Sequence, residues 1–249
     1  DAPTIQAAID RAADGDVVLG APGRYREALT IEDLTVTLRS EAGAGETILD
    51  GAGLGDQLLW STGQVTVEGF TFTRSGSAHE PAANTGGGTL TIADSVFDAN
   101  TSKGLFAVAT DVTLRSVAFT NNTSFGNGGA LKVLGGSLTI DGATFTGNTG
   151  PGLGGAIYLG HTRVDARGIV AENNGVGEVQ PDGSIVFTTL GGGAIYTDSV
   201  RGRIDASRFV NNTASFGGAI YVAGSRALEL TNTLVTGSLT GLGAIYANA

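Results

Sequence analysis

The 249-residue chain has no cysteine and no methionine. It therefore carries no disulfide framework and no thiolate metal site. Nor does any apolar run approach the about 18 residues a membrane-spanning helix needs, so no segment here is expected to cross a bilayer. Basic residues are scarce: 14 Lys and Arg against 24 Asp and Glu leave a net charge of −10. That balance argues against nucleic acid, where affinity rests on neutralising phosphates, and it suits a soluble exterior. The chain opens at Asp1 instead of Met, as an excised or processed piece would.

Glycine is abundant, with 41 residues, but no Gly-X-Y period exists, so collagen is excluded. The glycines belong to a block that recurs: Gly-Gly-Ala-Ile-Tyr at Gly154–Tyr158, Gly192–Tyr196 and Gly217–Tyr221, with variants at Gly128–Lys132 and Gly243–Tyr246. Between the blocks runs Phe-x-x-Asn, at Phe97/Asn100, Phe119/Asn122, Phe145/Asn148 and Phe209/Asn212. Self-similarity at roughly 22–26 residues predicts a solenoid, each repeat one coil stacked on the next.

The coils align on Val67, Ile92, Leu114, Ile140, Val164, Ile204 and Leu230. Each is followed five residues later by Phe72, Phe97, Phe119, Phe145, Ile169, Phe209 or Val235. Alternation around each anchor is strand-like. The expectation is an all-β, right-handed parallel β-helix of about nine coils, each about 4.8 Å above the last, forming one domain over 1–249. Residues 4–14 place Ile5, Ala8, Ile9 and Ala12 on one helical face, predicting a short helix within 1–15 that covers the first coil. Two stretches break the period and read as inserted loops, 74–88 and 174–191. In the second, Pro-Asp-Gly predicts a small hairpin over 178–187. The last coil has no closing element, so its strand edges invite continuation of the chain or pairing with another copy.

These features resemble two groups. The opening, TIQAAIDRAADGDVVLGAPGRYREALTI followed by VTLRSEAGAGETILDG, resembles pectin-lyase-like parallel β-helix proteins. The Gly-Gly-Ala-Ile and Phe-x-x-Asn blocks are similar to the repeats of polymorphic outer-membrane proteins, autotransporter passengers that act as adhesins. The resemblance implies a secreted or bacterial cell-surface scaffold that binds a glycan or protein partner. Gly23-Arg-Tyr25-Arg-Glu27 matches a Gly-x-Tyr-x-Glu element of pectinesterases. The aspartate-bearing motifs of those enzymes, and the Asp-Asp, Gly-His-Gly and Arg-Ile-Lys elements of polygalacturonases, are absent.

Three constellations could carry chemistry. One position after the anchors, Arg115, Asp141, Asp165, Asp205 and Thr231 form an outward row, with Arg163 and Arg203 one position before the anchors. A compensated Asp–Arg surface ladder is one reading. The other is a Ca²⁺ site at Asp141, Asp165 and Asp205 with an adjacent Arg, which resembles the arrangement of pectate lyases and implies a polysaccharide lyase acting on acidic glycans. Beyond this optional calcium, no cofactor is required. Second, Lys132, Tyr158, Tyr196, Tyr221 and Tyr246 share one slot of the block, predicting a solvent-facing strip that either stabilises the stack or forms a flat binding surface. Third, the Phe-x-x-Asn asparagines suit a coil corner, with Ser75, Glu172 and Ser238 in the same place elsewhere. His79 and His161 fall on distant coils and form no pair. A narrow outward Thr row (Thr66, Thr91, Thr113, Thr139) is too slim for an ice-binding face.

Overall fold

Alternating apolar residues and glycine-marked corners build a rod of short parallel strands. The computed structural model describes residues 2–76, 80–179, 185–186, 191–224, 227–238 and 242–248. Among these the strands form three faces around an apolar interior, each face nine strands deep and parallel throughout, giving about eight turns. The first face runs from 29–31 through Leu105–Val108 and Leu131–Leu134 to Ile245–Asn248. The second runs from Asp16–Gly20 to Ala227–Thr231, and the third from Gly23–Tyr25 to Leu234–Thr236. Long strands such as Ser137–Thr146 bend across a corner, at Gly142 with φ 74°. Equivalent corners use Ser116 and Ala206, also at positive φ.

The repeated block is corner geometry. At Gly154, φ is +72°; at Gly155 an added Cβ would lie 2.3 Å from the Gly193 carbonyl oxygen of the next coil. Only glycine serves both needs. Ala156 and Ile157 then turn inward and are buried, and Tyr158 turns outward.

Inside, Phe72, Phe97, Phe119 and Phe145 stack with centroids 4.7–4.9 Å apart. Beside them runs a buried ladder of Asn100, Asn122, Asn148, Asn174 and Asn212. Asn148 Nδ2 donates to the Phe119 carbonyl and to Asn174 Oδ1, both at 3.0 Å, while its Oδ1 accepts from Asn122 N and Asn122 Nδ2. Each of these amides is thereby satisfied by its neighbours from Asn100 to Asn174, and successive coils are locked in register.

The register on the second and third faces corrects the alignment at the strand Arg163–Glu172. Ile140 pairs with Ala166, and Ala166 with Ile204; Phe145 pairs with Ala171, and Ala171 with Phe209. Val164 and Ile169 are therefore not the anchors of that coil. A two-residue slip keeps every side chain on its own face, so alternation could not reveal it. Asn174, not Glu172, is the ladder member; Glu172 pairs with Thr146 on the outside.

The helix covers Ile5–Ile9, shorter than 4–14, and ends in tighter turns through Ala12. Ile5 and Ile9 are buried, and Ala8 and Ala12 pack on the core, as the helical face required. Thr4 caps it, and the Glu27 carboxylate accepts from the Ile5 and Gln6 amides at 3.0 Å. Within 74–88, Ala83–Gly86 is a strand of the first face and not loop. Its inward residues, Ala83 and Thr85, are small and buried, which left no apolar rhythm to read. In the other insert, Glu178–Val179 pairs antiparallel with Ile185–Val186, the expected hairpin.

The lower coils are clamped by Asp50, whose side chain is fully buried and takes Arg24 Nη1 at 2.8 Å and Arg74 Nε at 3.0 Å. Burial alone would raise its pKa; hydrogen bonds from Arg74, the Ala52 amide and Arg24 overcome this and hold it at about 2.

Asn148→Leu should cost about 2–4 kcal/mol in denaturant unfolding, because it orphans buried donors and acceptors on both neighbouring coils. Asp50 stays ionised in the fold to lower pH than in the open chain. Its contribution is complete above about pH 4 and is lost as pH falls towards 2. Asp50→Asn should remove about 1–2 kcal/mol at pH 7, reduced by the half-exposed arginines, and flatten that acid limb.

Candidate functional site

One outward row runs the length of the first face: Thr30, Trp60, Asn84, Phe106, Lys132, Tyr158, Tyr196, Tyr221 and Tyr246, each directly above the last. The block-borne slot thus faces solvent, and the five residues expected to share it do so. These five are half-buried, each against the row neighbours it has. Tyr158 and Tyr196 stack at 5.5 Å and 4°, Tyr196 and Tyr221 at 4.9 Å and 20°. Tyr246 tilts by 38° from Tyr221 and also meets Phe216. Mutual stacking covers the ring faces, so the strip presents ring edges and phenolic groups. The flat aromatic platform is thereby corrected to a ridge. Burial, followed by nearby Asp198, pushes the Tyr158 phenol up.

Lys132 interrupts the rings. Its ammonium lies 5.2 Å from the Phe106 centroid and 5.7 Å from that of Tyr158, within cation–π range of both. Lys103, which precedes Phe106 by three residues, also stands over that ring, at 6.0 Å. Burial, then repulsion from Lys132, lowers the Lys103 pKa to about 8, with Glu80 opposing. Its backbone φ is 124°, unfavourable for any residue with a Cβ. Continuing the strand register, the same place in later coils belongs to Gly129, Gly155, Gly193 and Gly218. Neither lysine enters an ion pair among the described residues. At the lower end, Glu32, Asp56 and Glu80 line a shallow hollow beside Trp60.

The carboxylate row expected on the second face does not form. Asp141 pairs with Arg167, and Arg167 with Asp205, while Asp165 lies in the next row over, between Thr139 and Arg203. Arg203 Nε bonds Asp165 Oδ1 at 2.9 Å. Asp205 accepts from Thr231 Oγ1 (2.7 Å) and Asn232 Nδ2 (2.8 Å), hydrogen bonds that lower its pKa. Arg163 pairs in register with Arg201 and shares a shallow hollow with Asp165, Arg203 and Glu229. Opposite charges alternate, as in a compensated ladder. A calcium site at Asp141, Asp165 and Asp205 needed three stacked carboxylates, which the two-residue slip had created on paper. Among the described residues no group of three or more His, Cys, Asp or Glu could hold a metal ion.

The Gly-x-Tyr-x-Glu element has structural work. Glu27 caps the helix, Tyr25 Oη donates to the Ala21 carbonyl at 2.7 Å, and Arg24 holds Asp50. His161 occupies a corner at positive φ, its amide donating to Asp198; His79 lies outside the described residues. The Thr row begins at Thr37 and gives way to Asp165.

Residues 142–160 and 206–223 match the Chlamydia polymorphic membrane protein repeat. No curated protein matches the chain significantly. Among solved structures, a PL6 family alginate lyase, AlyGC, superposes with a TM-score of 0.50 at 15% identity, over 97% of this chain and 38% of the lyase. That likeness shows a shared β-helix fold. The present chain spans well under half of that enzyme's length. No helix among the described residues is long and apolar enough to cross a membrane.

Trp60, Phe106 and Lys103 belong to the site but escaped the sequence reading. Their coils lack the Gly-Gly-Ala-Ile block; only the 26-residue step from Phe106 to Lys132 could have revealed them.

Lys103→Gly should stabilise the rod by about 2 kcal/mol at pH 7, since it removes a half-buried, desolvated ammonium and relaxes the backbone. The folded pKa of Lys103 lies below the ordinary lysine value. The cost is therefore full below about pH 8 and fades towards pH 10 as both states lose the proton. Wild-type stability should rise across that interval relative to the variant in urea titrations at each pH.

Proposed function

We propose that this chain is a cell-surface β-helix, a passenger-type scaffold that binds a glycan or protein partner along its first face. The carrying observation is the unbroken outward row from Trp60 to Tyr246, with Lys132 in it and Lys103 beside it, neither in an ion pair among the described residues. Structure-stabilising stacking explains why tyrosines recur. It does not explain two strained or desolvated lysines where a tyrosine and a glycine would serve the fold better. Exposed aromatic and cationic rows of this kind are the usual makings of a contact surface. Repeats similar to those of polymorphic membrane proteins support surface display.

The lyase reading depended on a carboxylate row, and charge alternation on the second face removes its basis. A shared fold carries no activity, because parallel β-helices host many functions.

Tyr196→Ser with Tyr221→Ser should abolish adhesion to glycan or protein arrays while circular dichroism reports a folded rod whose unfolding midpoint falls only by the lost stacking. Adhesion undiminished in an intact double variant would remove the row as the contact surface.

A further inference from the structure

The chain has only two lysines among its 14 cationic side chains, and both stand over one phenylalanine. Five arginines, by contrast, are spent on ion pairs elsewhere. Two ammonium groups that share a ring, neither in an ion pair among the described residues, repel each other, and one sits on backbone at φ 124°. A single anion seated between them would offset the repulsion while both keep their contact with the π face. Lysine suits this better than arginine: its compact ammonium can converge on one oxygen pair, whereas guanidinium demands a fixed fork.

The surroundings restrict what carries that anion. With a net charge of −10 and with Glu32, Asp56 and Glu80 towards the lower end of the row, a polyanion would be repelled along most of its length. Towards the upper end the row offers phenolic groups and ring edges at Tyr158, Tyr196 and Tyr221, which suit sugar hydroxyls and C–H faces. We propose that Lys103, Lys132 and Phe106 form a subsite for one carboxylate at the end of an otherwise neutral glycan. This assignment rests on the first-face row being the contact surface.

The test is calorimetric titration of the whole chain with a trisaccharide ending in one sialic acid, with lactose, with polygalacturonate and with a glutamate-containing peptide. The acidic trisaccharide should bind about tenfold or more tightly than lactose, the increment expected of a charge-assisted contact. Lys103→Gly, which the fold tolerates, and Lys132→Gln should each bring its affinity down to that of lactose. Among the described residues the charged groups acting on Lys103 are Lys132 and Glu80, and its own proton is the one held least firmly. The increment should therefore shrink as pH rises through about 8. Equal binding of the two sugars, or an increment that survives both substitutions, would overturn the subsite and leave the row intact. Tighter binding of polygalacturonate or of the peptide would overturn the single-carboxylate glycan. If neither sugar binds, the subsite falls; binding by the peptide alone then keeps the row with a protein partner.

Discussion

Register between successive coils is the constraint on which everything else depends. Parallel strands bond only to the coil below and the coil above, so one misplaced residue would shift every side chain beyond it to the wrong face. The buried asparagine ladder fixes that register chemically. From Asn100 to Asn174 each amide uses both its donors and its acceptor on neighbouring coils, an arrangement that fixes the offset. The stacked phenylalanines beside it fill the interior at the same spacing.

Because coils lie directly over one another, a repeated residue becomes a row, and a row becomes a surface. On the second face the rows are electrically balanced, acid against base from coil to coil. The first face lacks that economy. Its row combines mutually stacked tyrosines, which stabilise the rod, with two cations that burden it. Stability and recognition therefore reside in the same line of residues, the tyrosines serving both and the lysines only the second. This division is familiar where a binding site keeps strained or desolvated groups against the interest of the fold.

Much of the architecture was legible from periodicity: the parallel solenoid, the capping face of Ile5 and Ile9, the corner glycines and the outward tyrosine slot. What escaped did so for definite physical reasons. Ala166 and Ala171 are small, so larger Val164 and Ile169 drew the alignment two residues away, and a slip of two leaves alternation unchanged. Ala83–Gly86 is a strand whose inward residues are too small to mark it. Half of the candidate site was visible through the repeated block; Trp60 and Phe106 lay in coils without it.

By itself the sequence determined that the chain coils and which face of each strand turns inward, because both follow from local alternation and from glycine's freedom at corners. Tertiary structure alone decided which residues stand above which. Pairing between coils is a long-range choice made by the asparagine ladder and the filling of the core. That choice separated Asp165 from Asp141 and Asp205, and it brought Lys103 and Lys132, 29 positions apart in the chain, to the same ring.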